Sequence, residues 1–161
     1  MSTNASFLNV FSQFCFHVIS SIECQGSVAG GLHYTPCGKF AVFPLGSIVV
    51  LRSLSTKKQL FLDAGIDKKI SCVAVAKDGS LLAAGHEASA VSKTEIVVWD
   101  LKKATENSSN DVVLAEEYVL HILSQHHMRV QAVEFSRDTQ FLASLGGQDD
   151  CDIVVWKVST G

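Results

Sequence analysis

The chain has 161 residues, 47% apolar and 18% charged, with a mean hydropathy of +0.26. That is enough for one domain with a sizeable core and excludes a disordered segment. A net charge of −3 leaves no electrostatic footprint for nucleic acid or an anionic membrane, and no apolar run reaches the ~18 residues of a membrane span.

The start, MSTNASFLNVFSQFCFHVIS, carries no Lys or Arg, and Ser12, Gln13 and His17 interrupt its apolar stretch. A secretory signal needs a basic start and a continuous apolar centre, and neither is present. Phe7, Phe11 and Phe14 recur at helical spacing, compatible with a short amphipathic helix or an irregular apron. Residues 1–21 are therefore left unassigned. The five cysteines (Cys15, Cys24, Cys37, Cys72, Cys151) are odd in number and never in C-x-x-C spacing, which reads as reduced thiols of a cytosolic protein.

From residue 22 onward the chain repeats itself. ISCVAVAKDGSLLAAG, from Ile70, aligns with VQAVEFSRDTQFLASLG, from Val130, at an offset of 60. EIVVWDL, from Glu95, aligns with DIVVWKV, from Asp152, at an offset of 57, the longer loop after Gly85 absorbing the difference. A fainter earlier copy is LHYTPCGKFAVFPLGSIVVLRSL, whose Ile48–Leu51 stands where Ile96–Trp99 stands later. Each copy reads strand, turn, strand, turn, strand. Apolar residues alternate with period two, and the turns P-C-G-K, K-D-G and R-D-T supply the residues that tight hairpins need. The pattern predicts antiparallel strands over Ile70–Ala76, Ser80–Gly85 and Glu95–Leu101, then Val130–Ser136, Gln140–Leu145 and Asp152–Val158. Two insertions, His86–Thr94 and Lys103–Asp111, read as loops. The fold class is all-β.

Strand–turn–strand–loop–strand ending in Trp99-Asp100 resembles the WD40 repeat, and Trp156-Lys157 is a degenerate version of the same ending. The resemblance implies β-propeller blades: about three units of four-stranded antiparallel sheet, at 22–64, 65–121 and 122–161, in a partial propeller. It also implies a buried structural network in which His126, Ser144, Asp150 and Trp156 join, with Trp99, Asp100, Asp78 and Asp138 at corresponding places. In the middle copy Ile66 stands at the His position and Thr94 near the Asp position, so apolar packing must hold that blade. The stretches F-P-L-G (Phe43–Gly46), S-T-K-K-Q-L-F-L (Ser55–Leu62) and S-L-G-G-Q-D-D (Ser144–Asp150) are similar to one WD-repeat family of cilia and flagella, that of cilia- and flagella-associated protein 52. This resemblance implies a structural microtubule inner protein of the axoneme, with tubulin and other inner proteins as partners. The alternative is a soluble WD40 adaptor in another cytoplasmic complex.

No element positions a nucleophile, no glycine-rich phosphate loop exists, and His121, His126, His127 and Cys151 match no zinc spacing. The expectation is a non-enzyme without metal or cofactor. Candidate partner contacts are Lys57, Lys58, Lys68, Lys69, Lys102 and Lys103 in turns, with His86 and Glu87 at the start of the first insertion. Propellers need 4–8 blades, and three units leave terminal sheet faces uncovered. At ~25 cal/mol per Å², a face of several hundred Å² forfeits on the order of 10 kcal/mol. A further polypeptide completing the propeller is therefore expected, and the isolated chain is expected to aggregate.

Overall fold

The computed structural model describes residues 28, 30–87, 93–107 and 115–161. The N-terminal segment 1–21 lies outside them, as do 88–92 of the first insertion and 108–111 of the second. The described chain is almost wholly β and forms three antiparallel sheets.

Blade 1 contains β1 (His33–Tyr34), β2 (Phe40–Leu45), β3 (Ile48–Ser53) and β4 (Gln59–Leu62), in that spatial order. Blade 2 contains β5 (Ile70–Val75), β6 (Leu81–His86), β7 (Ile96–Asp100) and β8 (Val119–Leu123). Blade 3 contains β9 (Val130–Phe135), β10 (Phe141–Gly146) and β11 (Ile153–Lys157). Neighbouring strands pair antiparallel throughout. The six expected strands of the two later copies appear with their ends shifted by about one residue. The third unit has three strands among the described residues rather than four, and the seam expected between residues 121 and 122 falls inside β8.

The hairpins explain why the strands turn where they do. Gly38, Gly79 and Thr139 occupy the same place in the three first turns, all at positive φ (67°, 75° and 59°). Their amides donate to the carbonyls of Thr35, Ala76 and Ser136 at 2.8–2.9 Å. Asp78 and Asp138 lock two of these turns by accepting the amides of Ser80 and Gln140. Those bonds hold both carboxyls below the ordinary aspartate range, through the Ser80 amide first at Asp78 and the Ser136 hydroxyl first at Asp138. Thr139, β-branched, meets the left-handed geometry that glycine supplies in the other two blades.

One expectation fails after β7. Leu101 does not end a strand but opens a short helix, α1 (Leu101–Glu106), which takes in half of the presumed loop Lys103–Asp111. The cause is Asp100, whose carboxylate accepts the Lys103 amide at 2.9 Å as an N-cap, while Leu101 and Ala104 are buried beneath.

Each blade turns a leading face to the blade before it and a trailing face to the blade after it. Val42, Leu51 and Leu62 of blade 1 pack on Val73, Leu82, Val97 and Trp99 of blade 2. Cys72, Ala74, Ala83, Ile96 and Val98, on the other side of blade 2, pack on Val133, Phe135 and Leu142 of blade 3, with Trp156 and Val158 at the margin. Gly85 lies at this second seam: a Cβ there would stand 2.7 Å from both Cys72 Sγ and Val130 Cγ1. Burial also pushes the Cys72 thiol up, so it serves as an apolar filler. Beyond blade 3 nothing among the described residues pairs with the outer edge of β11 or covers the trailing face.

Candidate functional site

Trp156, at the end of β11, pairs across with Leu142 and reaches sideways along β10. Its indole Nε1 donates to Ser144 Oγ at 2.9 Å, and the same oxygen lies 2.8 Å from His126 Nε2. The indole can only donate, so Ser144 Oγ accepts from Trp156 and bridges it to the imidazole of His126. His126 Nδ1 faces Asp150 Oδ2 at 3.9 Å, too far for a hydrogen bond. Nδ1 is buried without a hydrogen-bond partner among the described residues. Asp150 instead accepts the backbone amides of His127 and Met128, the latter at 2.8 Å, fastening the loop that leads into β9. Gly146 makes room for this arrangement, because a Cβ there would stand 2.8 Å from His126 Nδ1.

A Ser–His–Asp connectivity invites comparison with a hydrolytic triad. Here Ser144 and His126 are both buried, at 1% and 2% exposure, and the indole N–H already occupies the serine oxygen. No substrate carbonyl can reach that oxygen, so the geometry suits a strut between strands rather than acyl transfer.

The corresponding place in blade 2 is built differently. Ala84 and Ile66 stand where Ser144 and His126 stand, and Trp99 Nε1 is buried with no acceptor among the described residues. Asp100 does not join Trp99 in a network but caps α1, as described above. His86 takes the position of Gly146; its Nδ1 donates to the Glu95 carbonyl at 3.1 Å, and burial holds its pKa below the ordinary 6.5. Its burial removes His86 from the candidate contact surface, because no partner can touch it.

The candidate lysines are divided between two rims by the strand directions. Lys57, Lys58, Lys102 and Lys103 follow the ends of β3 and β7, whereas Lys68 and Lys69 precede β5 at the opposite end. Lys68 is only 13% exposed; its Nζ pairs with Glu95 and donates to the Lys93 carbonyl at 2.7 Å, making it a brace rather than a free surface cation. Lys103 pairs with Asp100 at 3.1 Å, and Glu87 with Arg129 at 3.7 Å. Lys58 and Lys69 are exposed and also engaged in interactions, while Lys57 and Lys102 point outward.

Two further hydroxyls stitch the blades together: that of Thr94, which the sequence places only near the Asp position of the middle copy, and that of Ser71, which no motif singles out. Thr94 donates from its amide to the His126 carbonyl and from its hydroxyl to the Met128 carbonyl. Ser71 Oγ donates to the Val130 carbonyl at 2.6 Å, and the Ile70 amide to the Gly46 carbonyl at 2.9 Å.

A family model, the WD domain, G-beta repeat, matches residues 117–157. That interval begins beside β8, the outer strand of blade 2, and ends with β11, so the sequence repeat straddles two blades. Cilia- and flagella-associated protein 52 of Chlamydomonas reinhardtii is 35% identical over 142 residues, 88% of this chain and 21% of that protein. The Homo sapiens protein of the same name is 34% identical over 138 residues, 86% of this chain and 20% of its own length. The chain thus spans about one fifth of these curated relatives. Among solved structures, a chain of the mitotic checkpoint complex superposes with a TM-score of 0.64 at 15% identity, covering 88% of this chain and 38% of that one. The structure of U3-55K gives 0.61 at 21% identity, covering 80% of this chain and 35% of that one. At such identities these two show the fold alone. The chain therefore carries one matched WD40 repeat, its described residues have the fold of three adjacent propeller blades, and it is similar to a part of cilia- and flagella-associated protein 52 over most of its length.

Proposed function

We propose that the chain is a structural, non-catalytic component of the ciliary or flagellar axoneme, binding tubulin inside doublet microtubules beside other inner proteins. The observation that carries this reading is the similarity to cilia- and flagella-associated protein 52, which extends over 88% of the chain. Rigid blades with short loops at two rims suit a part that binds through many shape-matched contacts. The polar network of blade 3 holds the scaffold, and Lys57, Lys58, Lys69, Lys102 and Lys103 are the cations placed to meet an acidic surface. Blade boundaries near 22–64, 65–121 and 122–161 belong to the same proposal, with the second seam shifted past Leu123.

The test is fractionation. A tagged chain expressed in a ciliated cell should remain with detergent-extracted axonemes through a high-salt wash. Release into the detergent-soluble fraction would contradict the axonemal role and favour a soluble adaptor.

A further inference from the structure

Two connections meet at one end of every blade: the first hairpin turn and the segment that follows the third strand. In blade 1 these are residues 35–39 and 54–58, in blade 2 residues 76–80 and the start of α1. A backbone bond ties each pair together. Leu54 donates its amide to the Lys39 carbonyl at 2.9 Å, Lys102 to that of Ser80 at 3.2 Å and Val158 to that of Gln140 at 3.0 Å. Neighbouring turns also touch, since a Cβ on Gly79 would stand 3.3 Å from Pro36 Cδ. This end of the blades is one continuous, braced rim.

Charge is unevenly divided between this rim and the opposite one. No Asp or Glu lies between Glu23 and Asp63, while Lys39, Lys57 and Lys58 stand exposed on the rim of blade 1. Lys77, exposed on the next turn, adjoins them through the Pro36–Gly79 contact. The carboxylates of the same rim are engaged or remote. Asp78 and Asp138 accept amides within their turns, Asp100 caps α1, and Glu106 and Glu117 belong to the connection from α1 to β8. The opposite rim is acidic: Lys68 pairs with Glu95 and Arg129 with Glu87, and Asp63, Asp67, Asp149 and Asp152 add to it.

The local structure presents these lysines firmly. Ser53 Oγ accepts the Thr56 amide at 3.2 Å and the Ser53 carbonyl accepts that of Lys57 at 3.1 Å, closing the turn. Lys57 takes φ 61°, and a lysine at a backbone position that glycine fills at less cost points to a use for its charge. Leu54, bonded to Lys39 and opening the turn that carries Lys57, is 42% exposed among these cations.

We propose that the rim of blade 1, with Lys77 of blade 2, docks an acidic polypeptide segment whose carboxylates meet Lys39, Lys57, Lys58 and Lys77 around an apolar side chain seated on Leu54. Exposed ion pairs are individually weak, so several acting together with one apolar contact are needed for a specific site. A bilayer or a nucleic-acid duplex would extend over Asp78, Asp138 and Glu106 on the same rim and has nothing to place on Leu54. The proposal deepens the function given above, and rests on it for a partner in the axoneme: it assigns the contact to one rim and leaves Lys69, on the acidic rim, outside it.

The probe is a fluorescein-labelled Glu-rich peptide with one central leucine, titrated with the purified 161-residue chain. Binding should saturate at one peptide per chain and weaken at least fivefold between about 50 and about 300 mM NaCl. Lys39→Glu with Lys77→Glu should weaken it at least tenfold. Lys69→Glu with Lys93→Glu, the same charge change on the acidic rim, should weaken it less than twofold. Circular dichroism checks that both pairs remain folded; if the first does not, Lys39→Gln with Lys77→Gln should still lose at least threefold. Replacing the peptide's leucine by glycine should weaken binding to the parent chain but not to Leu54→Ser. Equal losses from the two charge reversals would overturn the proposal, as would no binding, or tighter binding to phosphatidylserine vesicles or a DNA duplex than to the peptide. Peptide binding by a chain that washes out of axonemes would overturn the ciliary reading alone. Axonemal retention without peptide binding would overturn the docking proposal alone.

Discussion

Trp99 and Trp156 hold equivalent places in blades 2 and 3, yet their surroundings are opposite. Trp99 is wholly buried between blades 1 and 2 with its Nε1 unpaired, whereas Trp156 is half-buried and hydrogen-bonded to Ser144. Blade 2 has cover on both faces and tolerates an orphaned indole, because apolar contact alone anchors the ring. Among the described residues blade 3 has cover on one face only, and its polar network ties β10, β11 and the loop before β9 together where packing is incomplete. Where apolar packing thins, directional bonds carry more of the stability.

The largest effect that tests this difference is truncation of the two rings. Trp99→Ala should cost about 3–5 kcal/mol, the usual scale for a fully buried aromatic. Trp156→Ala should cost about 1–3 kcal/mol, since less apolar area is lost but Ser144 and His126 lose a partner. Denaturant titrations of both variants would check the order, and equal losses would contradict the contrast.

Next in size is an exchange of the network itself. Ser144→Ala strands the Trp156 N–H and His126 Nε2, and about 1–3 kcal/mol should be lost. Ala84→Ser, the reciprocal change, places a hydroxyl beside Trp99 Nε1 and should gain roughly 1 kcal/mol. Thermal melts of the pair should therefore shift in opposite directions.

Acid should weaken blade 2 through His86. Its imidazole is held below the ordinary 6.5, chiefly by burial, so the folded chain binds fewer protons there than the unfolded chain. This contribution to stability is complete above the unfolded value and declines as pH falls toward the lowered folded value, by at most about 1.4 kcal/mol per pH unit. Stability measured between pH 7 and 5 should fall, and His86→Gln should flatten that limb. Asp78 and Asp138 act lower: their depressed values give stability present above the ordinary aspartate range and lost as pH drops through the folded values.

The smallest effect lies in the turns. Thr139→Gly relieves a β-branched residue at φ 59° and should stabilise by roughly 0.5–1 kcal/mol, after allowance for the greater freedom of glycine when unfolded. Gly79→Thr, the mirror change in blade 2, should destabilise by about 1–2 kcal/mol, as its Cβ also presses on Pro36 Cδ at 3.3 Å.

The strands were legible because period-two alternation and the turns at Gly38, Gly79 and Thr139 are local signals. The proximity of His126, Ser144 and Trp156 was legible only through the resemblance to the WD40 repeat, since the middle copy, with Ile66 and Ala84 at the equivalent places, does not repeat it. α1 was not: Asp100 reads equally as the end of a Trp-Asp strand and as a helix cap, and its role depends on Leu101 and Ala104 finding cover. Lys68 read as a surface charge because nothing nearby in sequence announces Glu95, 27 positions later, as its partner. Ser71 escaped notice and Thr94 was placed only near the Asp position of the middle copy for the same reason, since each donates to a carbonyl of the segment that follows, and single hydroxyls carry no periodic signal.

The central claim is that, among the described residues, blade 2 is covered on both faces and blade 3 on one. Native-state hydrogen exchange of the dilute, isolated chain compares β7 with β11, two strands of the same sequence pattern. The account predicts that amides of Ile96–Asp100 exchange at least a hundredfold more slowly than those of Ile153–Lys157. Equal protection in the two strands would contradict it.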